Sequence, residues 1–220
     1  MDVLHAEASE FLPLGVARIN FSTPLPTGAN LPLPLISAGS ATPGEDTPSF
    51  DNAVIPVGLS SFEMALRPVQ DNQAEGTEIL ELSLDPLFVV PQGISPARIT
   101  ILDTPYGDWA HAHLGPGPAS APNSDFDFDG WSNFEEYAWQ RDPSSPQSHP
   151  APVVRRVGNF LHIDFPHQTL PPFLSVRVET STDLKTWTSQ RTEILPDGFR
   201  LPLDGPRGFL RLRYEEIFPP

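Results

Sequence analysis

The side chains best placed to do chemistry fall in one dozen, residues 125–136, which read DFDFDGWSNFEE. Asp125, Asp127 and Asp129 alternate, Gly130 takes the sixth place, Trp131 the seventh, Asn133 the ninth and Glu136 the twelfth. Calcium takes 6–8 hard oxygen ligands, and a twelve-residue loop delivers them from positions 1, 3, 5, 7, 9 and 12, with glycine at 6 for the sharp turn. Trp131 need lend only its backbone carbonyl, which leaves its indole unconstrained. Three carboxylates so close together repel one another unless a cation sits among them. A solvated acidic turn would explain the charge but neither the glycine nor the glutamate. The spacing predicts a calcium loop with Asp125, Asp127, Asp129, Trp131, Asn133 and Glu136 as its ligands.

Other candidates carry less. His111 and His113 form an H-x-H pair, but they sit among alanines with no third nitrogen ligand, so a surface pair is expected and not a zinc site. No serine stands in G-x-S-x-G or beside a patterned histidine, and the glycines follow no phosphate-loop pattern. Acid pairs suited to glycoside hydrolysis abound, yet cation ligation accounts better for the clustered ones. Trp109, Trp131, Trp139 and Trp187 are expected in core packing before sugar stacking. No catalytic residue is expected.

Composition narrows the partners. The 220 residues carry 28 acids against 13 bases, a net charge of −15, so phosphate backbones and anionic lipid are repelled and cations attracted. Nucleic acid is excluded as a partner on this ground. The chain has no cysteine, which removes disulfides and thiolate metal sites and leaves the compartment open. No run approaches the roughly 18 apolar residues of a membrane span, so no membrane insertion by this segment is expected. The N-terminus lacks the basic and apolar regions of a signal peptide. Either the protein is cytosolic, or this is the downstream part of a longer secreted chain.

The elements around the acidic dozen read as strands. The first hundred residues alternate short apolar runs with turn signals, at 16–21, 30–37, 52–57, 61–69, 77–84 and 97–103. Such spacing predicts an antiparallel sandwich. In EILELSL, Leu80, Leu82 and Leu84 share one face, while Ile79, Glu81 and Ser83 share the other. Pro32 and Pro34 lack amides on the same side, which predicts an edge strand. Residues 104–124 are rich in Pro, Gly, Ala and Ser and read as a linker, with one short helical turn around 109–113. After the loop, Phe134, Tyr137 and Ala138 share a helical face, and Asp142 followed by Pro143 stops the helix. Strand patterns resume at 152–157, 159–165, 174–181, 186–195 and 208–217. The expected organisation is all-β: a sandwich over 1–104, a linker with loop and short helix over 105–148, and a smaller β-sandwich over 149–220.

The first unit resembles a Calx-beta domain through PLPLISAGSATPGEDT at 32–47, PVQDNQAEGTEILELSL at 68–84 and ARITILD at 97–103. The resemblance covers about residues 10–104 and implies an immunoglobulin-like sandwich that binds calcium at one end. Carried over by position, its ligand candidates are Asp46, Asp71, Glu75, Glu78 and Asp103, with Glu10 as a weaker one. Thr47 stands where the family has tyrosine, and Asn72 and Thr104 where it often has further acids. The middle block is similar to the EF-hand-like calcium loops of thrombospondin type 3 and dockerin repeats, though with Phe126 and Phe128 at positions usually small or polar. Only one such loop is present, so an isolated half-site is expected. VETSTDLKTW and GFLRL resemble a β-module that follows such loops in large secreted bacterial proteins.

Together these readings predict a non-catalytic calcium-binding module, extracellular or at a cell surface, whose ion stiffens the linker in a role in adhesion or surface architecture. Its partners would be calcium and another surface protein or a glycan. The alternative is a carbohydrate- or protein-binding accessory module of a larger secreted enzyme.

Overall fold

The computed structural model describes residues 2–11, 15–20, 31–50, 54–71, 73–87, 95–146, 153–164, 170–171, 173–189, 193–195, 198–202 and 209–217. They form strands in several sheets and two short α-helices, an all-β protein. The chain divides into two compact units, Met1–Ala121 and Pro122–Pro220. No helix among the described residues is long and apolar enough to cross a membrane.

The first unit holds β1 (Asp2–His5), β2 (Glu7–Ser9), β3 (Gly15–Asn20), β4 (Leu31–Pro32), β5 (Leu35–Gly39), β6 (Val54–Ile55), β7 (Ser61–Leu66), β8 (Glu78–Leu84) and β9 (Ala97–Leu102). One sheet runs β1-β3-β7, a second β2-β9-β8-β5, and β4 pairs with β6. The alternation of EILELSL appears as expected: Leu80 and Leu82 are fully buried while their neighbours are half-buried. Ala17 and Leu66 from one sheet meet Ala8, Leu80, Leu82, Ile99 and Ile101 from the other, so the two sheets share one core, sandwich-like. Small alanines at two of these positions, Ala8 and Ala17, let the sheets close. β5 is an edge strand next to the prolines. The strands β1 and β2 were not anticipated, and β2 lies parallel to β9.

After β9 the chain forms helix α1 (Pro105–Leu114), longer than the single turn expected at 109–113. Its start is capped by Thr104, whose side chain accepts the Gly107 N–H at 3.0 Å, and Pro105 begins it with its φ already helical. Gly115, with φ of 75°, ends it. A 3-10 turn (Pro118–Ser120) follows, and the Tyr106 hydroxyl donates to the Ser120 carbonyl at 2.7 Å. Both elements cluster with the first unit.

The second unit opens with the acidic loop and helix α2 (Asn133–Trp139), then β10 (Val153–Val157), β11 (Phe160–Asp164), β12 (Leu174–Ser181), β13 (Glu193–Leu195), β14 (Gly198–Pro202) and β15 (Phe209–Glu216). One sheet runs β10-β11-β14-β13, and β12 pairs with β15 along eight residues. Ile163, Phe199 and Leu201 from the first sheet pack with Val176 and Val178 from the second. The run 186–195 does not form one strand: Thr188 makes an isolated bridge to Thr180, β13 covers the last three residues, and 190–192 lie outside the described residues. β14 was not anticipated.

Candidate metal centres

In the loop, Asp125, Asp127 and Asp129 each offer a carboxylate oxygen, and the three atoms lie within 4.8 Å of one another. Main-chain amides hold them there. The Asp129 N–H donates to Oδ1 of Asp125 and Oδ1 of Asp127 at 3.2 Å, Gly130 N–H to Asp125 Oδ2 at 2.9 Å, and Trp131 N–H to Asp129 Oδ1 at 2.9 Å. Gly130 has φ of 98°, the left-handed conformation that a side chain would resist. Phe128 adopts a left-handed φ of 63° without that freedom, a conformation uncommon for a bulky residue.

Asn133 and Glu136 close the loop from α2, and both are 0 % exposed. Asn133 Oδ1 accepts the Phe126 N–H at 3.2 Å, tying the helix to the loop's start. Ser132 and Glu135 form a reciprocal capping box at the helix N-terminus, with the Ser132 N–H donating to Glu135 Oε2 at 2.9 Å. Glu136 does not belong to the set of three aspartates within 4.8 Å, yet their charges reach it. Burial first, then Asp127, Asp129, Asp125 and Asp142, push its carboxyl from 4.5 up to about 8. The loop is thus built, and the crowding of the aspartate charges on Glu136 is relieved by a cation among the carboxylates or by a proton on Glu136.

The first unit gathers a second set. Asp46, from the connection after β5, meets Glu75, from the connection between β7 and β8, and Glu78, the first residue of β8, again within 4.8 Å. Topology does this. β2 runs parallel to β9 and β8 antiparallel to it, so Glu10, Glu78 and Asp103 all reach the same end of the sheet. The Val69 N–H donates to the Asp46 carbonyl at 2.8 Å, drawing the two connections together.

The other two expected ligands, Asp103 and Asp71, lie outside that set, and like Asp46, whose Oδ2 accepts the Thr42 N–H, they accept main-chain N–H groups. Asp103 is 2 % exposed, and its Oδ2 accepts the N–H of Glu75 at 2.9 Å and of Gly76 at 3.0 Å, while Oδ1 accepts from Thr104 at 2.6 Å. Asp71 spends both oxygens on Gln73, at 2.7 Å to the main-chain N–H and 2.7 Å to Nε2. Both still bear on the set electrostatically. Burial, then the charges of Asp103, Asp71 and Glu75, push Glu10 up to about 8, and its Oε2 is buried with no hydrogen-bond partner among the described residues. Glu75 and Glu78 are each pushed up to about 7, by burial first and then by Asp46. Among the described residues, no arginine or lysine forms an ion pair with any of these six acids. Both sets offer only oxygen donors, the kind hard cations take.

The two histidines share no site. His111 Nδ1 lies 3.3 Å from the Ala74 carbonyl oxygen, and His113 Nδ1 lies 2.8 Å from that of Trp109. His111 also lies against Gly76, where an added Cβ would approach its ring to 3.0 Å. No protein-family model, curated protein or solved structure matches the chain.

Proposed function

We propose that this chain is a non-catalytic calcium-binding module of a secreted or cell-surface protein. Its first unit is a Calx-beta-like, immunoglobulin-like sandwich with calcium at one pole, and residues 125–136 form an EF-hand-like loop of the thrombospondin type 3 and dockerin kind. The observation that carries this reading is the burial of Glu136 against Asp125, Asp127 and Asp129, in a loop whose main chain already holds the three aspartates in place. A divalent cation cancels that repulsion. Oxygen-only donor sets with no cysteine favour calcium over zinc.

The function is mechanical. The ion orders the segment that leads from the first unit into the second strand region and fixes a helix too short to persist alone. Extracellular calcium modules bind with dissociation constants of about 10⁻⁴–10⁻³ M, so ambient calcium outside the cell fills them. A glycan-binding role for the second unit ranks below this, since two of its rings already carry guanidinium groups: Arg200 lies 4.8 Å from Phe160 and Arg211 lies 4.2 Å from Trp187. The test is limited proteolysis and thermal melting with calcium and with chelator. Calcium should raise the melting temperature and protect the chain around Asp129. Identical melting and cutting in both conditions would refute the reading.

A further inference from the structure

We propose that Tyr214, on β15, is a positioning residue for the metal site of residues 125–136, so that ion binding and the core of the second unit's sheets support one another through α2. This deepens the calcium reading of the loop and rests on it. The helix has seven residues and carries Asn133 and Glu136, the last two expected ligands. Two turns of helix do not hold their shape in water, so the affinity of the site depends on what restrains them.

Among the described residues, α2 is restrained at its start, its end and its flank. Its start is held by the capping box and by the bond from Phe126 to Asn133. Its end is closed by Gln140 in the left-handed conformation, whose N–H donates to the Glu136 and Tyr137 carbonyls. Its flank is held by Trp139, which is 2 % exposed and donates its Nε1–H to the Tyr214 hydroxyl at 2.5 Å. The same indole meets Trp131, the seventh loop residue, edge to face at 5.8 Å between centroids. Trp139 therefore touches the loop on one side and the sheet on the other.

Tyr214 is tied into the sheets in turn. It pairs with Val176 across β12 and packs against the cluster of Ile163, Val176, Val178, Phe199 and Leu201. A continuous line of contact runs from that core through Tyr214 and Trp139 to the helix that bears Glu136. Because the ion and the sheet restrain the same seven residues, each must strengthen the other by the same factor.

The experiment uses the full chain in a Glu75→Ala background, which removes the first unit's site. Calcium affinity is measured calorimetrically at about 25 °C, with terbium luminescence sensitised by Trp131 of the loop as a second readout. Tyr214→Phe, which keeps the ring and loses the hydroxyl, should bind calcium about fivefold more weakly, the worth of one hydrogen bond. A tyrosine that only stabilised the fold would lower the melting temperature and leave the affinity of the folded chain alone. Unchanged affinity in a folded Tyr214→Phe chain therefore overturns the proposal. Should that variant fail to fold, Trp139→Phe removes the same hydrogen bond from the other partner and is judged by the same criterion. Absence of any calcium binding before the Tyr214 change would instead overturn the calcium reading itself, and the positioning role with it.

Discussion

The carboxylate of Asp103 accepts the main-chain N–H of Glu75 at 2.9 Å, across 28 positions of sequence. With the Gly76 N–H on the same oxygen at 3.0 Å, it clamps the connection before β8 onto the end of β9. Asp103 thereby shapes the turn that brings Glu75 and Glu78 to Asp46. Removing it leaves buried donors without acceptors. Asp103→Ala should cost about 3 kcal/mol of stability in chelator, read by urea denaturation. A loss within a few tenths of a kcal/mol would mean that these bonds contribute little.

Gly107 lies against the same carboxylate: a Cβ there would stand 2.0 Å from Asp103 Oδ1. Helix propensity alone would make Gly107→Ala stabilising by about 1 kcal/mol. The clash with a buried, amide-bound carboxylate should outweigh this, for a net loss of about 1–2 kcal/mol. A variant that melts higher than the parent would contradict the packing described for the start of α1.

In chelator the stability should fall as pH rises. Glu10 and Glu136 titrate at about 8 and Glu75 and Glu78 at about 7 in the folded chain, against 4.5 for the ordinary carboxyl. Groups raised on folding contribute fully below the unfolded value, and that contribution is lost as pH climbs through the folded one. The melting temperature of the metal-free chain should therefore drop between about pH 5 and pH 8. Calcium takes the ionised carboxylates, so its binding near neutral pH should release protons, seen as heats that vary with buffer ionisation enthalpy. Buffer-independent heats would contradict the buried, proton-holding state of Glu136.

In the second unit, calcium at ten times its dissociation constant should add about 1.4 kcal/mol to stability, and Asp127→Ala should abolish that gain. Hydrogen exchange of the β12 and β15 amides, with and without calcium, measures it. Equal exchange in both conditions would separate the loop from the sheet it adjoins.

What could be read from sequence was what local spacing dictates. The acidic dozen folds as a loop because alternate carboxylates reach the amides that follow them, and Gly130 permits the turn. The strands β8, β9 and β12 show in their alternation because one face of each is buried. Elsewhere the signal was weak or divided. β14 spans five residues and ends in proline, so the alternation of Phe199 and Leu201 was too brief to stand out. In α1 the surrounding Pro, Gly, Ala and Ser obscured a start at Thr104 and Pro105 and a stop at Gly115. Composition also cannot tell whether a carboxylate turns toward an ion or an amide. Asp71, Asp103 and Asp46 are expected as ligands on the same grounds, and in the structure all three carboxylates accept main-chain N–H groups, while Asp46 alone of the three joins the set within 4.8 Å.

The most direct test is calorimetric calcium titration of the parent chain beside Asp127→Ala and Glu75→Ala. The parent should bind at two separable sites, with Asp127→Ala losing one and Glu75→Ala the other. A parent chain that takes up no calcium at millimolar concentration, or variants that bind as it does, would contradict the assignment of both acidic clusters.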